Sequence, residues 1–188
     1  MLYLQQVITI AEQAGQAILE IYQQDSSQFN VTDKADASPL TAADLAAHTL
    51  IVNALTALTP DIPILSEEAA NISWDIRQHW QRYWLVDPLD GTKEFIKRNG
   101  EFTVNIALIE QGEPVLGVVH APVLAKTYYA ARDQGAWLKT AAGSQSIQVS
   151  QTSDRVRVVG SRSHPSPDLA GYLAQFPQHQ MVAVGSSL

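Results

Sequence analysis

The chain contains no cysteine. Disulfides, thiol nucleophiles and Cys-type zinc sites are therefore excluded, and a reducing, cytoplasmic setting is the expectation; peripheral association with an inner membrane stays open. Basic residues are scarce, with 12 Lys and Arg against 19 Asp and Glu, a net charge of −7 and no Lys/Arg run. A nucleic-acid polymer needs a basic patch, so no such partner is expected. Long apolar runs are also missing. No stretch approaches the roughly 18 uninterrupted apolar residues of a membrane span, so no integral membrane contact is expected. The opening MLYLQQVITIAEQ has neither the basic n-region nor the small-residue cleavage site of a signal peptide. There is no Ser-His-Asp or Walker-type arrangement and no internal repeat. His48, His79, His120 and His179 lack metal-ligand spacing and read as structural.

The 188 residues, 46% hydrophobic and 16% charged, suffice for a substantial core in one domain, or one and a part. Leu4, Val7, Ala11, Ala14, Ile18 and Ile21 recur at three- and four-residue spacing, which predicts an amphipathic helix over 2–23. Asp25 to Phe29 reads as polar loop and Ser38-Pro39 as a turn. Thr41 followed three residues later by Asp44 forms a capping box that opens a helix running to Leu58, before Thr59-Pro60. Residues 62–65 are a short apolar run leading into Ser66-Glu67-Glu68, a strand followed by a helix cap. Residues 70–82 read as polar helix or loop in which Trp74 and Trp80 are packing residues. Alternation predicts an antiparallel meander over about 102–109, 114–120 and 126–131, with one more short strand at Gly135-Ala136-Trp137. Residues 139–153 are polar and rich in small residues, the best candidate for a domain boundary. Beyond it, 156–160, 168–176 and 181–184 read strand, helix, strand, the start of a parallel α/β layer. Ligands gather at the carboxyl ends of such strands, where Ser161-Arg-Ser-His164 and Gly185-Ser-Ser-Leu188 lie.

The rest of the chain is organised around residues 83–95, YWLVDPLDGTKEF. Trp84, Leu85 and Val86 read as a buried strand that Pro88 should stop. Asp90-Gly91 is a turn dipeptide, and Thr92 is suited to cap the next element. Asp87 and Asp90 thus stand at the end of a buried strand. At about 4 Å and an effective dielectric of about 20, two carboxylates repel by about 4 kcal/mol. A shared proton, a basic partner or a cation must offset this, and oxygen-only ligands favour Mg²⁺ over zinc. From the pair alone, an ordinary strand end with a turn Asp behind it is an equally good reading.

The longer string narrows the choice. DPLDGTKEF, continuing through IKRNGEFTVNIALIE, resembles the metal-binding signature of the inositol monophosphatase superfamily. Lys93-Glu94-Phe95 is similar to its 3′(2′),5′-bisphosphate nucleotidase branch, where inositol monophosphatases carry a Thr-Asn-Phe-type continuation. The segment VTDKADASPLTAAD, residues 31–44, resembles a second family pattern ending in Asp44. The resemblance implies a fold of the α/β (α+β) class, a layered α-β-α-β-α sandwich with an N-terminal domain over 1–150 and the start of a second, truncated domain over 151–188. The family pattern continues past Leu188 with a Lys and a Gly-Pro-Thr-x-x-Trp-Asp segment that completes a second metal site. A cleaved chain, an engineered fragment or a sequence covering only part of the molecule would each fit, and a partner chain or the missing C-terminal segment stays open as a further partner.

The resemblance further implies a Mg²⁺-dependent phosphomonoesterase with a small phosphorylated nucleotide as substrate, 3′-phosphoadenosine 5′-phosphate or its sulfated form. Glu67, Asp87, Asp90 and the Leu89 carbonyl are the implied metal ligands. Asp44 and Thr92 are the implied catalytic residues that orient and deprotonate water. Glu67, Leu89, Asp90, Gly91, Thr92, His164 and Ser186 are the implied substrate contacts. Asp44 also reads as a plain helix-start residue, Glu67 as a charge complementing a helix dipole, and His164 as a solvated loop residue. An inositol monophosphatase, a sugar bisphosphatase and a non-catalytic fragment are the alternatives.

Overall fold

The computed structural model describes residues 3–25, 29–33, 39–69, 72–150, 156–163 and 168–186. Ser38, where a turn was expected, and His164 lie outside these residues.

Helix α1 (Leu4–Tyr22) buries Val7, Ile8, Ile10, Ala11, Ala14, Gly15 and Ile18, the stripe that the helical spacing predicts. A small antiparallel pair, β1 (Thr32–Asp33) and β2 (Pro39–Leu40), leads into α2 (Ala42–Leu58). Next come β3 (Ile64–Ser66), a single 3-10 turn at Glu67–Ala69, and the short α3 (Trp74–Arg77). Strand β4 (Arg82–Asp90) and helix α4 (Thr92–Ile96) carry the central motif. The meander consists of β5 (Thr103–Glu110), β6 (Glu113–Ala121), β7 (Lys126–Ala131), β8 (Ala136–Thr140) and β9 (Gly143–Ile147). These strands form one seven-stranded sheet in the order β3-β4-β5-β6-β7-β8-β9, parallel at β3/β4 and antiparallel elsewhere. Strand β10 (Arg157–Ser161), helix α5 (Leu169–Leu173) and strand β11 (Gln180–Val184) build the expected strand-helix-strand unit, with β10 and β11 parallel and in register from Arg157↔Gln180 to Ser161↔Val184.

Helix α1 packs on α2 and on β5, β6 and β7, while α2 packs on β3 and β4. The helices therefore cover one face of the large sheet. Side chains alternate across a strand, so Trp84 and Val86 are buried while Leu85 between them is 43% exposed. Trp84 donates its indole N–H to Thr59 Oγ1 at 2.9 Å, satisfying a polar atom deep in the core. An aromatic cluster holds α4 against α1: Phe95 packs on Tyr22, Phe29 and Phe102 with ring centroids 5.2, 4.7 and 5.4 Å apart. Phe29, assigned from sequence to a polar loop, is one of its buried members. Arg98 caps the cluster, its guanidinium 4.9 Å from the Tyr22 ring centroid.

Four local expectations are corrected. Strand β4 runs through Pro88 instead of stopping there. Its pairing shifts between Asp87↔Asn105 and Asp90↔Thr103, so one extra residue is accommodated in a bulge, where a missing ladder donor costs little. Gly91, with φ 94°, precedes α4 as its cap, and Thr92 is the first helical residue. Residues 143–147, for which no strand was expected, form the edge strand β9, built by backbone pairing to β8 and exposed at all but its last residue. Trp74 is 64% exposed and outside the core, with the Arg77 guanidinium 5.6 Å from its ring centroid.

Helix α1 meets the sheet without room to spare at Gly15. A Cβ there would lie 2.5 Å from Cδ2 of His120 and 3.1 Å from Cβ of Pro122. His120 is buried on β6 and tied through Nδ1 to Thr127 Oγ1 at 2.9 Å, so the ring cannot simply step aside. Gly15→Ala therefore destabilises by about 1–3 kcal/mol, despite the better helix propensity of alanine. A urea denaturation midpoint equal to or above that of the parent contradicts this packing.

Candidate active site

Four chain segments meet at the carboxyl end of β4. Asp44 stands in the first turn of α2 and is 1% exposed. The expected capping box is formed: Thr41 donates to Asp44 Oδ2 from its backbone N–H at 2.8 Å and from its hydroxyl at 2.5 Å, and the Thr41 hydroxyl accepts from the Ala43 N–H at 3.2 Å. Both donors engage Oδ2. Oδ1 accepts from Thr92 Oγ1 at 3.1 Å, across from α4. The helix-start reading of Asp44 and the functional one therefore hold together. Thr92 also lies 3.4 Å from the Leu89 carbonyl, which completes the local turn.

Asp87 and Asp90 flank the bulge. Asp87 shares the sheet face of Leu85, away from the helices, and borders an open groove of about 530 Å³ with Ser66, Glu67 and Asn105. Glu67 opens the 3-10 turn after β3, and because β3 is parallel to β4 its end arrives beside Asp87. His48, one turn after Asp44 on α2, braces this junction through Nδ1···Ser66 Oγ at 2.9 Å. The charges interact. Burial pushes the Asp87 carboxyl up to about 8, helped by the negative charges of Glu67 and Asp90 and by a hydrogen bond with Glu67, against which only the Leu89 backbone N–H pulls. Oδ1 of Asp87 is buried and has no hydrogen-bond partner among the described residues.

Ser186 reaches the same place from β11. Its hydroxyl donates to Asp90 Oδ2 at 2.7 Å and lies 2.7 Å from Thr103 Oγ1. Gly91 is confined between these parts: at φ 94° a Cβ would fall 3.0 Å from the Glu101 carbonyl and 3.1 Å from Cβ of Ser186. Glycine is required there both for its dihedral and for space.

The structure thus gathers Asp44, Glu67, Asp87, Leu89, Asp90, Gly91, Thr92 and Ser186 of the expected set. His164 lies outside the described residues. Residues outside the expected site set also converge here. Glu94, on α4 and 2% exposed, accepts from the hydroxyl of Ser163. Glu101 grips Arg162 and the Gly185 amide. Glu94 was part of the Lys93-Glu94-Phe95 string but carried no expected role, and no sequence signal marked Glu101.

Among the described residues, no three His, Asp or Glu side chains stand close enough to make a finished ion cage. The residues nonetheless fit a hard divalent cation. They offer carboxylate and carbonyl oxygens, no soft donor, a buried orphan oxygen on Asp87, and a charge repulsion that a cation would relieve.

Without metal, Asp87 makes the protein sensitive to alkaline pH. Its folded-state pKa lies above the unfolded value, so the native state holds a proton that the unfolded chain has lost. The associated stability is fully present below about pH 4 and is lost as pH rises through about 8. In EDTA, Tm falls between about pH 5 and pH 9, and Asp87→Asn flattens that dependence. A parent and a variant with parallel Tm–pH curves contradict the shift.

Comparisons with known proteins identify the family. The family model described as "Inositol monophosphatase family" matches residues 3–188. The chain is 56% identical over 185 residues to the 3′(2′),5′-bisphosphate nucleotidase CysQ of Salmonella typhimurium (strain LT2), covering 98% of this chain and 74% of that protein. It is 54% identical over 185 residues to CysQ of Escherichia coli (strain K12), with the same coverage. Among solved structures, CysQ from Bacteroides thetaiotaomicron, described as a bacterial member of the inositol monophosphatase family, superposes with a TM-score of 0.83 at 38% identity, covering 100% of this chain and 75% of that one. With the family model matching residues 3–188 and the fold superposing on a member, the chain belongs to the inositol monophosphatase family.

Proposed function

We propose that the protein is a phosphomonoesterase of the bisphosphate nucleotidase type that hydrolyses 3′-phosphoadenosine 5′-phosphate to AMP and phosphate. The carrying observation is the Thr92 hydroxyl held on Asp44 beside the Glu67–Asp87 carboxylate pair. The nucleotide as substrate is supported by 54–56% identity to proteins named 3′(2′),5′-bisphosphate nucleotidase, and by Lys93-Glu94 in the motif. Mg²⁺ is the proposed ion, held by Glu67, Asp87, Asp90 and the Leu89 carbonyl. When bound, it supplies Lewis-acid polarisation of the phosphoryl group and makes water a better nucleophile.

The chain's own residues perform the proton work. Thr41 fixes Asp44 Oδ2 through two donors, so Oδ1 is aimed at Thr92. Because the Thr92 hydroxyl donates to Asp44, its lone pairs remain as acceptors for a water proton, and Asp44 is the base behind it. Ser186 fixes the carboxylate of Asp90 and brings the β11 end to the site. Asp87, burdened by burial and by Glu67, would be the ligand most relieved by a held cation, and would give up its proton to take that role. The seven-stranded sheet with its helices and the β10–β11 unit are read as two domains meeting near residue 150, with the site at their junction. The cysteine-free composition supports a cytoplasmic location.

Phosphate release tests the reading. With Mg²⁺, 3′-phosphoadenosine 5′-phosphate is turned over at least about a hundredfold faster than inositol 1-phosphate or fructose 1,6-bisphosphate, and EDTA abolishes release. Asp44→Asn and Thr92→Val each lower kcat by about 10²–10⁴. Asp87→Ala and Asp90→Ala abolish turnover while the far-UV circular dichroism is kept. Faster release from the inositol phosphate points to the monophosphatase reading; near-normal rates in either alanine variant overturn the ligand assignment.

A further inference from the structure

We propose that Glu101 is a positioning residue for this site: by gripping the β10–β11 unit it seats Ser186 on Asp90. The inference rests on the phosphatase reading above and adds to it a residue that touches neither ion nor substrate.

The contacts form a short chain. Glu101 comes after Asn99-Gly100 in the turn beyond α4, and its own N–H is held by Asn99 Oδ1 at 2.9 Å. Its carboxylate takes Arg162 as a fork, Nε to Oε2 at 2.8 Å and Nη2 to Oε1 at 2.8 Å. The same Arg162 Nη2 donates to the Ala183 carbonyl at 2.8 Å, so the fork is tied to β11 as well as β10. Oε2 of Glu101 also accepts from the Gly185 N–H at 2.8 Å. The next residue is Ser186, which places its hydroxyl on Asp90 and Thr103.

Two features separate this from an ordinary surface ion pair, which contributes little. First, the grip is on the backbone of the residue that precedes Ser186, and Ser186 stands at φ 59°, a left-handed conformation that a non-glycine residue keeps only when its surroundings hold it. Second, the grip is paired. Glu101 and Thr103 stand two residues apart at the start of β5, one holding residue 185 and the other residue 186. Thr103 is in turn the register partner of Asp90. Gly185 has no slack, since a Cβ on it would lie 2.5 Å from Glu94 Cγ and 2.9 Å from Glu101 Oε2. Loss of the Glu101 carboxylate frees the Gly185 amide and the Arg162 fork together, and the seat of Ser186 goes with them.

The test is a double-mutant cycle on Mg²⁺ binding, measured by calorimetry on the intact protein without substrate, with amide exchange monitored over residues 180–186. Glu101→Ala and Ser186→Ala each weaken Mg²⁺ binding by about tenfold, the worth of a charge-assisted hydrogen bond. The double variant is no weaker than Glu101→Ala alone, because both changes remove the same seat. Amide exchange at 185–186 accelerates in Glu101→Ala, and Glu101→Gln, which keeps an acceptor, recovers most of the affinity. Mg²⁺ binding unchanged in Glu101→Ala, or a double variant showing the product of the two losses, overturns the proposal. If Glu101→Ala does not fold, Arg162→Lys, which removes the fork and keeps the charge, takes its place, and unchanged affinity there is equally fatal. A parent that binds no Mg²⁺ overturns the phosphatase reading and this inference with it, an outcome distinct from a parent that binds and variants that lose nothing.

Discussion

Asp87 is placed where a carboxylate does not want to be. It is largely removed from water, has a second carboxylate hydrogen-bonded to it and lies in the field of a third. Each of these disfavours its charge, and together they carry its pKa to about 8. The surrounding structure has to be stiff enough to hold this arrangement, because the simplest relief is for the groups to move apart. The stiffness is visible on every side. Parallel β3 pins the approach of Glu67, the bulge in β4 fixes Asp87 relative to Asp90, and the aromatic cluster under Phe95 stops α4 from shifting. Stability is given up at one point and recovered across the core, the usual relation between a strained site and its scaffold.

The bulge is what makes two aspartates three residues apart useful. In an unbroken strand, residues 87 and 90 would face opposite sides of the sheet, because side chains alternate. The extra residue between Asp87↔Asn105 and Asp90↔Thr103 breaks that alternation. Asp87 borders the groove with Glu67, while Asp90 takes the Ser186 hydroxyl. Pro88 sits inside the irregularity, where it has no ladder donor to lose and its fixed φ stiffens the turn of the chain.

The legible parts of the fold were those set by local periodicity. Helix α1 shows in Val7, Ala11, Ala14 and Ile18; α2 in the Thr41–Asp44 box; the meander in the alternation through β5, β6 and β7. Strand β9 was hidden because Gly143–Ile147 has no apolar alternation, and only pairing with β8 makes it a strand. The course of β4 through Pro88 was hidden for the same reason: a bulge is a property of two strands, and one sequence window shows only one of them. At the site, Asp44, Glu67, Asp87, Asp90 and Thr92 were marked by the motifs and their resemblance. Glu101 and Arg162 were not, since their bond spans 61 positions and nothing local announces it.

The residues that set this chain apart from the inositol-phosphatase pattern have a physical role beyond their identity. Glu94 belongs to the Lys-Glu-Phe continuation, yet its carboxylate is buried and turned toward Ser163 at the end of β10, away from the groove beside Asp87. Lys97 reaches the same Ser163 hydroxyl at 3.2 Å. Glu101, seven positions on, holds Arg162 and Gly185. Glu94, Lys97 and Glu101 thus all terminate on the segments that follow β10 and β11. The metal motif and the seating of the second unit are consequently written into one continuous stretch, from Asp87 to Thr103. A substitution within it bears on the contacts that hold the β11 end to Asp90 as directly as on the charges around Asp87. The carboxylates around Asp87 and the residues that seat the β11 end therefore cannot vary independently of one another.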